Sequence, residues 1–302
     1  MGRVKVILNP IAGKGHGARV EPELRRHLEA GDLDFHMECT AAPKHAIELA
    51  RQAVSDGFEI VVAAGGDGTT HEVVNGLMLA AGDGVGGTLA VLPIGSGSDF
   101  AHTAGVPGDL EAACRRLTHG KARLMDVGRV SLDAGAPRYF DNTLGIGFDG
   151  VVTLEALKMP RLRGMALYLP VVLKTVFLSL KIPLATIQYD DQEMVLPALM
   201  ITVANGAREG GGFFVAPDAK PDDGLFDLCI AREISRMAML GLIPHFMKGT
   251  HVDKEPVTMA RAARVTISSP DPLVAHVDGE MLCTEGHRID CEILPRRLRV
   301  WS

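Results

Sequence analysis

The stretch "EIVVAAGGDGTTHEVVNG", residues 59 to 76, constrains the fold of this chain more than any other. It is an apolar run stopped by a glycine pair, then a polar turn, then a helical pattern. A strand of a parallel sheet that leads into a covering helix needs this order, because both faces of such a strand are buried. The order recurs on either side, in "VKVILNPIAGKG" from Val4 and in "TLAVLPIGSGSDF" from Thr88. Between these runs, Ala18 to Ala30 sets Val20, Leu24 and Leu28 on one helical face, and Phe35 to Thr40 reads as a strand. "HAIELARQAVSDG" spaces Ile47, Leu49, Ala50 and Val54 as a helix that stops at Gly57. The alternation predicts an N-terminal doubly wound α/β domain.

The second half reads differently. At 302 residues the chain is too long for one ordinary core and about right for two. From "MDVGRVSL" onward short strand-like runs multiply: 138 to 142, 186 to 189, 198 to 204, 225 to 231, 264 to 268 and 287 to 294. Helical patterns interrupt them only near 150 to 180 and 235 to 248. A β-rich, mostly antiparallel, sandwich-like domain follows, with the boundary near Asp126, so the domains are 1–126 and 127–302.

Composition removes several alternatives. A net charge of -6 speaks against a chain that coats nucleic acid, which requires Lys and Arg to neutralise many phosphates. The 5 cysteines, widely spread and with no C-x-x-C pair, indicate neither a disulfide framework nor a zinc ribbon, and read as reduced thiols in a cytoplasm. The N-terminus enters a strand without the pattern of a cleaved signal. The apolar stretch from Gly164, "GMALYLPVVLKTVFLSLKIPLA", is interrupted by Pro170, Lys174, Lys181 and Pro183, which suits a core helix or a lipid-facing surface better than a spanning helix.

In an open parallel sheet the carboxyl ends of the strands share one edge, so the three glycine turns should converge there. Phosphate is the natural guest, because glycines let backbone N–H groups approach anionic oxygens and the following helix offers its unpaired donors. The P-loop pattern is absent. "GIGFDG", Gly145 to Gly150, matches G-x-G-x-x-G literally but lies in the β-rich half, and "GKGHGA" from Gly13 fits only the variant form, with no well-placed acidic residue after it. Asp67, between Gly66 and Gly68, has two readings: it holds Mg²⁺ beside phosphates or orients a hydroxyl, or it caps a helix that starts near Thr70. Thr69 and Thr70 share the ambiguity.

Taken in order, "NPIAGKG", "GGDGTTHEVVNG" and "LPIGSGSDFAHTAG" resemble the catalytic domain of the diacylglycerol, sphingosine and ceramide kinases, in the bacterial lipid-kinase branch. "NTLGIGFDGVV", "APDAKPDDGLFDLCI" and "HVDGE" are similar to that branch's β-rich C-terminal domain, so the resemblance covers nearly the whole chain. It implies an active site in the cleft between the domains. ATP would be surrounded by Asn9, Pro10, Gly13, Thr40, Gly65, Gly66, Asp67, Gly68, Thr69, Thr70 and Ser96. Asp278 and Glu280 would activate the lipid hydroxyl, with Asp67 completing the catalytic set on the nucleotide and Mg²⁺ side. Asp223 and the Leu225 carbonyl would form a structural Mg²⁺ site; from the residues alone, "PDDGLFD" is an Asp-Gly turn.

The chain departs from the family pattern at Ser96 and Ser98, where relatives carry threonine and asparagine, and at His71, where asparagine often precedes the glutamate. The resulting expectation is an ATP-dependent kinase of a diacylglycerol-like lipid. An NAD kinase, a sphingoid-base kinase and a sensor without turnover are the alternatives. The expected partners are a lipid substrate, a transient membrane-surface contact in which Tyr168 and Lys174 suit the interface, and a second copy of the chain, with no nucleic acid. The expected location is the cytoplasm or the inner membrane face.

Overall fold

The apolar runs of the first half do become buried parallel strands. In the computed structural model, residues 2–95, 98–158 and 170–302 are described. They fall into two units, Met1–Val127 with Pro295–Ser302, and Gly128–Leu294.

In the first unit the chain order is β1 (Val4–Leu8), α1 (Ala12–Ala30), β2 (Phe35–Cys39), α2 (His45–Ser55), β3 (Ile60–Gly65), α3 (Asp67–Ala81), β4 (Thr88–Pro93), α4 (Asp99–Ala104) and α5 (Leu110–His119). The strands lie in the order β4-β3-β1-β2, all parallel. Every residue of β1 and β3 is buried, as two covered faces require. Val4, Val6 and Leu8 pack with Val20, Leu24 and Leu28 of α1 and Leu117 of α5. The alternate residues Ile7, Val61 and Ala63 are equally buried, and α2 and α3 pack together. That pair approaches so closely at Gly76 that a Cβ there would lie 2.4 Å from the Ile47 carbonyl oxygen.

Residues 295–302, which the sequence reading assigns to the second domain, belong to the first unit. Arg299 and Val300 pair in parallel with Thr88 and Leu89, and Leu298 and Val300 are wholly buried. The Trp301 indole donates to the carbonyls of Arg116 and Leu117, and the buried Asp126 carboxylate accepts the Arg296 N–H at 2.7 Å.

β5 (Ala122–Leu132) leads into the second unit, which continues with β6 (Arg138–Phe140), β7 (Thr143–Gly147), α6 (Phe148–Leu157), β8 (Leu184–Tyr189), β9 (Gln192–Ala204), β10 (Arg208–Glu209), β11 (Phe213–Phe214), β12 (Phe226–Arg232), α7 (Arg236–Lys248), β13 (Val257–Ala262), β14 (Arg264–Val277) and β15 (Glu280–Trp301). Its ladders are antiparallel. β8 pairs with both β9 and β14, and β7 pairs with the same two strands further along, so two layers wrap one core. Strand alternation divides the apolar residues: Phe226, Leu228 and Ile230 of β12 enter the inner core, while Cys229 and Ala231 face a second cluster built with Val152, Val176 and Met239.

The literal glycine match at 145–150 is a packing device, in keeping with its place in the β-rich half. A Cβ at Gly150 would lie 2.2 Å from the Val274 carbonyl oxygen, and Gly147 has φ +80, so this turn lets α6 lie directly on β14.

Candidate active site

The three glycine turns of the first unit do converge. The Asn9 amide donates to Thr69 Oγ1 at 3.0 Å, and Asn9 Oδ1 accepts the Ile11 N–H, which ties the turn after β1 to the start of α3. The N–H groups of Ile94 and Gly95 both donate to the Gly65 carbonyl. A Cβ at Gly95 would stand 2.6 Å from Gly66 Cα, and one at Gly13 would stand 3.0 Å from the Ile94 carbonyl oxygen. Gly13, Lys14 and Gly15 all have positive φ, so the regular part of α1 begins after them, close to the sequence expectation.

Within this edge the predicted residues divide. Asn9, Pro10, Gly13, Thr40, Gly66, Asp67 and Gly68 are partly exposed, whereas Gly65, Thr69 and Thr70 are buried beneath them. Thr69 therefore stands in the layer that holds Asn9 in place. Thr40 closes β2, its N–H donating to the Leu8 carbonyl. Ser96 lies outside the described residues. Ser98 is the N-cap of α4 and makes no side-chain cap.

Asp67 does not cap a helix that starts near Thr70. α3 begins at Asp67 itself, with the extended Gly66 as its N-cap, and Asp67 Oδ1 accepts the Phe100 N–H at 3.3 Å. Its carboxylate thus joins the second turn to the start of α4. Glu72 has a structural role that sequence reasoning passed over: its two oxygens accept the N–H groups of Lys44 and Ala46 at 2.8 and 3.1 Å, so α3 caps α2. Glu72→Ala leaves these donors without that acceptor and should cost about 1–3 kcal/mol, read as a lower urea midpoint with the ATP KM little changed.

In the second unit, "HVDGE" is a hairpin. Asp278 (φ +48) and Gly279 (φ +81) form the two-residue turn between β14 and β15, the backbone signs of a type I′ turn, and Val277 pairs with Glu280. The Asp278 side chain folds back and accepts the N–H groups of Asn142 and Thr143 on Oδ1, each at 3.0 Å, and that of Asp141 on Oδ2 at 3.2 Å. Three backbone donors fix a carboxylate that is only 9% exposed. Glu280 is exposed. Arg138, which the sequence did not single out, donates to the Met281 carbonyl at 2.9 Å; burial pushes its pKa down while Glu280 and Asp278 oppose that shift.

An apolar pocket, partly open to solvent, lies in the same unit. α6, residues 170–179, β9 and α7 line it through side chains such as Phe148, Val172, Val176, Leu199, Met239 and Phe246. Asp149 and Glu209 are its carboxylates. Burial, together with the Glu209 charge, pushes the Asp149 carboxyl up to about 7, and Thr202 Oγ1 donates to it at 2.8 Å. Asp149 sat unnoticed in the "GIGFDG" match, and nothing local in the sequence marked Glu209.

Residues 3–130 match the family model described as the diacylglycerol kinase catalytic domain, and residues 142–302 match the YegS C-terminal NAD kinase β-sandwich-like domain. The chain belongs to the diacylglycerol kinase and YegS-like lipid kinase family. A protein of Pseudomonas aeruginosa named "Probable lipid kinase YegS-like" is 30% identical over 302 residues, covering 99% of this chain and 95% of that protein. A diacylglycerol kinase of Mycobacterium tuberculosis is 29% identical over 285 residues, covering 94% and 90%. The crystal structure of a diacylglycerol kinase from Bacillus anthracis shares the fold, with a TM-score of 0.74 over 100% of this chain and 97% of that one at 22% identity. This family member is an ATP-dependent lipid kinase, with an α/β catalytic domain followed by a β-sandwich-like one.

The structural metal that the resemblance implies at Asp223 and Leu225 does not suit the residues around it. Asp223 Oδ1 accepts the Leu225 N–H at 3.2 Å, and its Oδ2 is in contact with the Arg261 guanidinium. Arg261 Nε lies 3.6 Å from Asp227, whose pKa burial raises. A guanidinium already neutralises these carboxylates. Among the described residues no group of three or more His, Cys, Asp or Glu is placed to hold a metal ion.

The apolar stretch from Gly164 is described only from Pro170 onward, so Tyr168 lies outside the described residues. Lys174, partly exposed, is ion-paired: Glu155 takes Lys174 on one oxygen at 2.5 Å and Lys158 on the other at 2.7 Å. No described helix is long and apolar enough to cross a membrane.

Proposed function

We propose that this kinase transfers the γ-phosphate of ATP to the free hydroxyl of a diacylglycerol-like lipid. The apolar pocket of the second unit carries the reading, because a lining of aliphatic and aromatic side chains suits an acyl chain better than a ribose. ATP belongs to the turns of the first unit. There the partly exposed backbone N–H groups of residues 66–68 and the first turn of α3 meet its phosphates. Mg²⁺ bound to ATP supplies charge neutralisation at the phosphate oxygens, and Asp67 is the carboxylate assigned to it. Asp278, oriented by its three N–H donors, accepts the proton of the lipid hydroxyl, with Glu280 assisting. Arg138 counters the charge of this pair.

The test is phosphate transfer from labelled ATP to diacylglycerol in detergent micelles, compared with sphingosine and with NAD. Product on diacylglycerol at a kcat/KM well above the other two is the expected result; preferential transfer to NAD overturns it.

The same reading assigns a face that meets the bilayer from the cytoplasmic side. Leu157, Leu173, Phe177, Leu178 and Met237 are exposed on α6, on residues 170–179 and on α7, elements that also line the pocket. Each apolar side chain that leaves water contributes about 1.5–3 kcal/mol. Leu173→Asp with Phe177→Asp should therefore weaken flotation with anionic vesicles by about 100-fold or more. Unchanged flotation of the double variant would show that this face stays in water.

A further inference from the structure

His276 is wholly buried on β14, two residues before Asp278, and no role assigned so far uses it. Its place is prepared: it pairs with Gly145 across β7 and β14, and a Cβ at Gly145 would come within 2.4 Å of the ring Nε2. The two ring nitrogens face different things. Nδ1 accepts the N–H of Gly279 at 3.2 Å, so it is the unprotonated nitrogen and the proton sits on Nε2. Nε2 lies 3.0 Å from Glu209 Oε1, close enough for an ion pair but without the alignment of a hydrogen bond. Glu209 Oε2 is likewise buried without a hydrogen-bond partner, and Glu209 lines the apolar pocket. The polar end of the pocket is thus incomplete: a buried acceptor and a poorly directed N–H stand beside a space shaped for a lipid.

We propose that His276 is a positioning residue for the phosphoryl transfer: it holds the Asp278–Gly279 turn through Nδ1, while Glu209 beside Nε2 fixes the tautomer that does so. Glu209 Oε1, 3.0 Å from Nε2, favours the ring proton on that nitrogen. The imidazole is then held in the tautomer that accepts from Gly279, and Asp278 is held where it meets the substrate. Protonation of the ring acts in the opposite sense. It places a proton on Nδ1 against the Gly279 N–H, two donors face each other, and the turn loses its anchor. The charged groups around the ring are Glu209 from β10, Asp149 from α6 and Asp278 from its own hairpin. Burial pushes the His276 pKa down, but these three carboxylates outweigh it and the net shift is upward. Turnover should therefore fall as pH drops through the neutral range.

This inference rests on Asp278 as the proton acceptor, and the experiment separates the two. His276→Ala should lower kcat about 10- to 100-fold, as misplacement of a reacting group does, with the ATP KM nearly unchanged. His276→Asn, whose Oδ1 replaces Nδ1 as acceptor but does not titrate, should recover most of kcat and lose the fall of kcat in the neutral range. In parallel, exchange of the Gly279 amide, followed by NMR on the whole protein without substrate, should be fast in the alanine variant and slow in wild type and the asparagine variant. Wild-type kcat in His276→Ala, equal kcat in the alanine and asparagine variants, or a pH profile in His276→Asn like that of wild type would each overturn the proposal. If the alanine variant does not fold, the asparagine pH profile decides alone. Should wild type phosphorylate no lipid, the functional reading fails, and equal Gly279 exchange in all three proteins would then sink the positioning role independently.

Discussion

Asp278→Asn should lower kcat by about 10²–10⁴-fold, the usual contribution of a positioned base, while the KM for ATP stays close to wild type. The substitution keeps the side chain's shape but removes the acceptor on one oxygen. With the amide oxygen in the Oδ1 position, the N–H groups of Asn142 and Thr143 keep their partner, and the new NH₂ faces the N–H of Asp141. That donor-to-donor contact should also cost about 1–3 kcal/mol of stability. Two roles therefore overlap at this residue, the observed hairpin anchor and the proposed proton acceptor, and they are separable. Kinetics measured well below the melting temperature of the variant report the second alone. A folded Asp278→Asn protein that turns over at the wild-type rate would leave Asp278 as an anchor only, and the exposed Glu280 would become the candidate base.

The second large effect is expected in the first unit. Gly95→Ala should weaken ATP binding by about 10- to 100-fold, because the added Cβ would stand 2.6 Å from Gly66 Cα and 3.2 Å from Gly66 N. Both contacts are with backbone, so no side-chain rotation relieves them, and the two turns must separate. Overpacking of this kind typically costs about 1–3 kcal/mol, and here it acts on the hydrogen bonds from Ile94 and Gly95 to the Gly65 carbonyl that join the two turns of the proposed ATP site. Calorimetric titration with ATP is the check; wild-type affinity would show that the contact between the turns does not shape the nucleotide site. Gly15→Ala is the contrasting control. Its Cβ would meet nothing within 4 Å, so only the backbone strain at φ +79 remains.

Much of the site was legible because its chemistry is local. "EIVVAAGGDGTT" announces a buried strand, a glycine turn and a helix start within a few residues, and β3 and α3 follow it. Convergence of the three turns could be expected from strand order alone, since parallel strands end on one edge. The metal reading at "PDDGLFD" came from resemblance, and Arg261, which decides against it, sits far along the chain on β13, where register sets it opposite Asp227. Lys174 looked like an interface residue until Glu155, nineteen positions earlier, took its charge.

The sequence by itself determined the two domain types, the edge where the three glycine turns meet and the apolar stretch that borders the apolar pocket, because each depends on periodicity or on glycine within a short window. Only the tertiary structure decided that Glu72 caps a neighbouring helix, that residues 295–302 return to the first unit, and that Asp149 and Glu209 line one pocket with His276 buried beside them. The last three come from α6, β10 and β14. Hydrogen bonds and buried charges between such distant elements follow from strand register and close packing, which no local pattern encodes.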